Sequence, residues 1–315
     1  MSVAGAARAA TLPDDGGDED EALQRAADDG RKPSRVGYLL LAPGLLYLGL
    51  FFVAPVAVLL LTSLYESVPG GPVGATRPAF RLANYSEALS AYGPQFGRSF
   101  LYAGIATVSA LLIGYPLAYV IAVRCRARPL LQGLLLVMVI APFFTSFILR
   151  TIAWKQILAD ESLVVSALQT VYLLPEDARL TATPFAVVAG LTYNFLPFMT
   201  LPIYASLERL DLRLVEAGAD LYAGALATFR HVTLPLSLPG VVAGTLLTFI
   251  PAAGDYVNSA LLGNSGTAMI GNVIDSRFFR VVDYPTAAAL SFMLMLAILV
   301  LVAWYVRRAG TEELL

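Results

Sequence analysis

One acidic residue set in an apolar run carries the most chemistry in this sequence. Asp255 lies in Phe249-Ile250-Pro251-Ala252-Ala253-Gly254-Asp255-Tyr256-Val257. A carboxylate deep in hydrocarbon costs about 2.5–3.5 kcal/mol, so it must face a cavity or a partner. Tyr256, Tyr193 and Trp154 offer aromatic faces that attract a cation, and with Asp255 they suit a solute bearing an ammonium group. The alternative carries equal weight: an ion pair of Asp255 with Arg150 or with a residue of another chain. Arg150 is awkward on a cation path and reads as structural, holding its span against neighbours. Asn194 either satisfies carbonyls freed near Pro197 or touches the solute, with the structural role favoured. Phe143, with Phe144 and Phe198, either closes a path by apolar packing or makes plain helix contacts.

Enzyme chemistry has little support. No G-x-x-x-x-G-K-[ST] loop is present to cradle a nucleotide phosphate. No Ser/His/Asp set is placed for nucleophilic attack, and the single histidine, His231, rules out a histidine-rich metal site within the chain. The single cysteine, Cys125, excludes an internal disulfide. Neither catalytic residues nor metal ligands are therefore assigned.

The elements that must position these residues are apolar helices. Of 315 residues, 57% are apolar and 14% charged, with a mean hydropathy of +0.70. That composition lies outside the soluble class. Six runs are long enough to cross a hydrocarbon layer of ~30 Å: Val36–Ser63, Phe100–Val123, Leu130–Ala153, Phe185–Ser206, Leu238–Leu262 and Thr286–Val306. Within them, Pro142, Pro197 and Pro251 remove backbone hydrogen bonds and suit helices that rearrange. Gly240-xxx-Gly244 has the spacing for close helix packing. Residues 1–35 read as a disordered acidic tail and 309–315 as a short second tail, flanking a six-helix domain over 36–308. Residues 1–30 hold eight acids against Arg8 and Arg25, so the chain's 23 acids and 21 bases leave 15 and 19 for the remainder. The first tail lacks the apolar core of a signal peptide and is expected to be a solvated arm.

Charge sets the orientation. Twelve bases lie on one side: Arg25, Arg31, Lys32, Arg35, Arg124, Arg126, Arg128, Arg209, Arg213, Arg230, Arg307 and Arg308. The positive-inside rule places that side, with both termini, in the cytoplasm. Outward segments are expected at Leu64–Gly97, at Lys155–Pro184 with a short helix over Ser162–Leu174, and at Gly263–Pro285. No internal repeat supports an inverted-repeat carrier.

A polar island at Leu207–Val241 separates the fourth and fifth runs. Leu207, Leu210, Leu214, Ala217 and Leu221 alternate at spacings of three and four, an apolar helical stripe. Arg209, Arg213, Glu216 and Asp220 fall on the opposite face. Ala223-Gly224-Ala225 offers a turn of little bulk, and Pro235 and Pro239 are expected to stop a second short helix and start the next span. The result is a helix–turn–helix shaped to dock.

Glu216-Ala217-Gly218, Leu221-Tyr222-Ala223, Phe229, Leu234-Pro235-Leu236 and Pro239-Gly240 resemble the E-A-A…G…L-P loop of ATP-binding-cassette importer permeases. Gly218 stands where that motif has a second alanine and Tyr222 where it has glycine, with Gly224 expected to supply the turn. Phe80-Arg81-Leu82-Ala83-Asn84-Tyr85 is similar to the F-x-x-x-N-Y start of the permease core. Pro142-Phe143 through Trp154 resembles the P-F-x-x-S-F-x-x-R-x-x-A-W signature of polyamine importer permeases, PotB-like chains of spermidine/putrescine systems. The resemblance implies an all-α, polytopic membrane protein of the type I importer (MetI-like) fold in a bacterial inner or plasma membrane. It implies inward transport of a small cationic solute, a polyamine foremost, by ATP-driven alternating access. An opine, an aminophosphonate or an ATP-independent carrier or channel are the alternatives. Implied partners are a second, PotC-like permease, two PotA-like ATPases that bind ATP and magnesium, a PotD-like extracytoplasmic binding protein and membrane lipid, with no nucleic acid. This chain itself needs no cofactor. The resemblance assigns coupling to Glu216, Ala217, Gly218, Asp220, Leu221, Gly224 and Phe229 in the loop at 207–237. Asp255, Tyr256, Tyr193, Asn194, Trp154 and Phe143 are candidates for the solute path, and Arg150, Pro197, Pro235 and Pro239 for structure.

Overall fold

The computed structural model describes residues 35–172, 174–175, 178–220 and 222–309. Apart from Arg35 and Ala309, which are helical, both tails expected at the termini lie outside the described residues, as does Leu221. The chain divides into two compact units, up to Val58 and from Leu59. The first carries α1 (Arg35–Leu48), a π-helical turn at Gly49–Val53 and the start of α2 (Ala54–Ser63).

In the second unit a two-stranded antiparallel hairpin, β1 (Tyr65–Ser67) and β2 (Thr76–Pro78), precedes α3 (Ala83–Tyr119). Asn84 ties that start down, its Nδ2 donating to the carbonyls of Ser63 (2.9 Å) and Tyr65 (2.8 Å). At ~1.5 Å per residue α3 is far longer than a ~30 Å hydrocarbon slab. The outward segment expected over Leu64–Gly97 is therefore a hairpin plus the first turns of this helix, not a loop. There follow α4 (Pro129–Ile140), α5 (Phe147–Ile157), α6 (Leu163–Thr170), α7 (Pro184–Glu208), α8 (Leu212–Asp220), α9 (Ala225–Thr228), α10 (Leu234–Ala253), α11 (Val257–Leu262), α12 (Ile270–Asp275) and α13 (Tyr284–Ala309).

Five helices among the described residues are long and apolar enough to cross a membrane, and a bent pair makes a sixth if counted as one span. That pair corrects the third expected run. Leu130–Ala153 is not straight: α4 and α5 meet at 101°. Ala141–Phe144 tightens into a 3-10 turn around Pro142, and Thr145 (ψ 150°) and Ser146 (ψ 135°) are extended. The fifth run is corrected as well. The helix is continuous from Ala225 to Ala253 and ends before Asp255.

The core is a stack of α7 between α3 and α10. Ala103, Ala106, Ala110 and Ala118 on α3 are fully buried, and Gly114 leaves room for Thr200 and Met199 of α7. On the other side, a Cβ at Gly240 would stand 2.6 Å from the Pro202 carbonyl oxygen, and one at Gly244 2.9 Å from that of Met199. Small residues let the backbones meet, which matters where lipid offers no hydrophobic drive between helices. Ile270, Leu290 and Leu294 join Ala88 and Phe96 in a further cluster linking α12, α13 and α3.

Candidate functional site

The polar island forms a braced hairpin at one end of the stack, called here the loop end. α7 stops at Glu208, and the chain turns through Arg209 and Leu210 into α8. The expected single stripe is therefore split between two helices: Leu207 and Leu210 are buried in the core, while Leu214 and Ala217 are exposed. Arg126, beyond the end of α3, fixes the turn by donating from Nη1 to the Leu210 carbonyl at 3.0 Å. Asp211 Oδ1 accepts from the Arg213 amide at 3.0 Å and starts α8.

The end of α8 departs from expectation. Ala223 N donates to Gly218 O at 3.0 Å, and Tyr222 has φ +57°. This is a helix C-terminus closed by a left-handed residue, a place glycine usually fills. Gly224, with φ −65°, is ordinary and caps α9; the turn falls to Tyr222, whose ring is 99% exposed. Gly218 is small for a local reason: a Cβ there would lie 3.0 Å from Thr228 Oγ1. Phe229 anchors the second arm, edge-on to Tyr115 (5.6 Å) and Tyr119 (6.4 Å) of α3. Pro235 and Pro239 do not stop a helix. A π-helical turn at Phe229–Thr233 carries α9 straight into α10, and Leu234 N reaches back to Phe229 O. Among the exposed residues of the hairpin are Arg213, Leu214, Glu216, Ala217, Asp220, Tyr222 and Leu226. His231 bonds the Ala227 carbonyl through Nδ1 at 2.9 Å.

The proposed path residues fall into separate places within this chain. Trp154 and Tyr193 meet at 5.3 Å with their rings tilted by 59° and line a cavity of about 310 Å³ with Thr192, Leu196 and Ile113. Asn194 points elsewhere, into a buried triangle. Its Nδ2 donates to Thr151 Oγ1 (3.1 Å) and Asn258 Oδ1 (3.0 Å), tying α5, α7 and α11 together. Asn258 fits because residue 190 is glycine; a Cβ there would be 2.8 Å from its Oδ1. Asp255 is 8% exposed, and its Oδ1 accepts the Asn258 amide at 2.8 Å, capping the start of α11. Among the described residues, no ion pair links it to Arg150. Tyr256 borders a different cavity of about 420 Å³ with Asn272 and Asp275. Phe143 stands edge-on to Phe198 at 4.9 Å.

Sequence reasoning missed Thr151, Asn258, Gly190 and Thr228. Polar or small residues inside apolar helices were the available signal for the first three, and Asp three residues before Asn258 was the signal for a cap. No local signal marked Tyr222 as left-handed.

Comparison with known proteins turns this geometry into a family. The chain is 38% identical over 233 residues to the spermidine/putrescine transport system permease protein PotB of Escherichia coli (strain K12), covering 73% of this chain and 83% of that one. It is 36% identical over 227 residues to the protein of the same name from Haemophilus influenzae, covering 72% and 78%. It is 29% identical over 298 residues to the inner membrane ABC transporter permease protein YdcU of Escherichia coli, covering 88% and 91%. The fold resembles that of a bacterial ABC transporter that imports the acidic polysaccharide alginate, with TM-score 0.63 at 15% identity over 92% of this chain and 98% of that one. The transporter solved with an alginate pentasaccharide-bound periplasmic protein gives TM-score 0.64 at 14% identity, covering 88% and 95%. Residues 110–308, from the middle of α3 through the braced hairpin to α13, match one family model. The chain is an inner-membrane permease subunit, and it belongs to the family of binding-protein-dependent transport system inner membrane components.

Proposed function

We propose that this permease moves a small cationic solute, a polyamine of the spermidine/putrescine class, inward by ATP-driven alternating access. The observation that carries the mechanism is the outward face of the hairpin. Glu216, Asp220 and Tyr222 are exposed, while Arg126 and Phe229 brace the hairpin against the rest of the chain and Thr228 packs its two arms together at Gly218. A stiff lever with an unpaired face transmits motion; a loop that only joined two spans would need neither brace nor charge. The hairpin lies in the cytoplasm, in accord with the twelve bases carried by the segments on its side of the chain, and seats on an ATPase subunit that binds ATP and magnesium. Two such ATPases, a second permease and an extracytoplasmic binding protein complete the importer. The likeness to PotB supports the solute class.

Solute passes between the two permeases, where the half-buried Trp154–Tyr193 pair, which lines a cavity, offers aromatic faces for ammonium groups. Asp255 contributes there through the position of α11. Glu216→Lys reverses charge on the docking face without touching the core. Polyamine uptake and ATPase stimulation in proteoliposomes should fall at least tenfold, with membrane insertion unchanged. Normal uptake by that variant would refute the coupling role.

A further inference from the structure

We infer that the notch between α7 and α10 at the loop end holds one zwitterionic phospholipid of the phosphatidylethanolamine type, with Arg209 on its phosphate and Asp211 on its ammonium group. The inference needs only the membrane span of α7 and is independent of the solute carried.

The notch has a volume of about 670 Å³, within the range of sites that take a small molecule. Its lining changes character with depth. Pro202 and Ala205 of α7 and Ala243 of α10 form apolar walls. Ser206 Oγ, donating to the Leu236 carbonyl at 3.4 Å, ties the two helices together there. Leu214 of α8 and Leu236 are 49% and 48% exposed beside it. Arg209 and Asp211, both exposed, complete the lining.

The membrane has the same gradient. α7 runs for 25 residues, about 37 Å at ~1.5 Å per residue, enough to cross a ~30 Å hydrocarbon layer. Arg209 directly follows its last residue and so reaches the headgroup zone. Pro202, two turns earlier, lies about 10 Å deeper, among acyl chains. A soluble ion would suit the charged mouth but not the apolar walls, and a bare hydrocarbon would suit the walls but not the mouth. A phospholipid suits both, as basic pockets between spans do for headgroups elsewhere.

Charge selects the headgroup. No ion pair among the described residues involves Arg209 or Asp211. Asp211 Oδ1 accepts the Arg213 amide, which leaves the other carboxylate oxygen for a donor from outside. The Arg209 guanidinium matches phosphate oxygens in geometry and charge. A phosphatidylglycerol headgroup would satisfy Arg209 and be repelled by Asp211. Phosphatidylcholine has the right charges but no N–H for Asp211. A primary ammonium beyond the phosphate satisfies both residues.

Native mass spectrometry of the purified complex containing the full chain reads the binding, with the three lipids added in turn on identical acyl chains. Phosphatidylethanolamine should bind at least fivefold more tightly than the other two. Asp211→Asn keeps an oxygen for the Arg213 amide and should erase the preference over phosphatidylcholine. Arg209→Gln should weaken phosphatidylethanolamine at least fivefold, and Ala205→Trp, which fills the notch, should remove one bound lipid. Equal affinity for the three lipids, tightest binding of phosphatidylglycerol, or unchanged binding in any of these variants overturns the inference. Displacement of the lipid by free O-phosphoethanolamine also overturns it, because the walls would then contribute nothing. Benzoylphenylalanine in place of Ala205, irradiated in the native membrane, should yield a lipid adduct. A product with another protein chain, or no lipid adduct, shows that lipid does not occupy the notch.

Discussion

The two ends of the helical stack differ in how far their charges pair within the chain. At the end away from the hairpin, four ion pairs form within the chain, Glu66 with Arg77 at 2.8 Å, Arg81 with Glu87 at 2.6 Å, Asp160 with Arg179 at 3.5 Å and Asp283 with Arg277 at 3.7 Å, while Lys155, Glu161, Asp275 and Arg280 pair with no described residue. At the loop end, Arg209, Arg213, Glu216, Asp220 and Arg230 form no ion pair among the described residues. Exposed pairs contribute only about 0–1 kcal/mol each, so the far-end pairs fix loop geometry more than they stabilise the fold. The contrast teaches that ion pairs within the chain gather at one end, while the hairpin's charges have none among the described residues.

Glu216→Lys gives the largest effect expected from that contrast, because it reverses an exposed charge on the face proposed to dock. Tyr222→Gly sharpens it. Glycine relieves a left-handed conformation that costs an ordinary residue about 1–2 kcal/mol, so the hairpin should become more resistant to proteolysis. ATPase stimulation should nonetheless drop severalfold, since the exposed ring is lost; a gain in both would break the reading of Tyr222 as a contact. At the far end, Arg277→Ala removes an ion pair with Asp283, a hydrogen bond to Tyr92 and a cation–π contact with the same ring. Thermal unfolding should show a loss of about 1–2 kcal/mol, with ATPase stimulation per assembled complex unchanged. Weakest is the Glu66–Arg77 pair across the β1–β2 hairpin. The Arg77 hydrogen bond and charge hold the Glu66 carboxyl below its usual value of 4.5. Its contribution is therefore complete above pH 4.5 and fades as pH falls through the lowered value. Amide exchange at Val68, bonded to Ala75 O, should quicken only in that acid range, and Glu66→Gln should remove the pH dependence.

Hydropathy made much of the fold legible, because burial in lipid demands long apolar runs. The break at Thr145–Ser146 was hidden. Pro142 looks like Pro197 in the sequence, yet α7 runs unbroken through Pro197 and Pro202. The difference lies in surroundings: α7 is clamped by Ala and Gly contacts on both sides, whereas α4 has no buried residue. A proline costs about 3 kcal/mol in a helix, and packing on two faces can offset it where one exposed face cannot. Leu210 likewise kept the helical spacing of Leu207 and Leu214 but lies in a turn, because Arg126 holds its carbonyl. Asp255 was visible as chemistry, and its cap on α11 emerged only with the neighbouring backbone in place.

Which side of the membrane the hairpin faces is the most direct measurement. Tyr222→Cys is introduced with Cys125→Ser, and an impermeant maleimide is applied to right-side-out and inverted vesicles. Cytoplasmic coupling predicts labelling in inverted vesicles alone; labelling in right-side-out vesicles would contradict it.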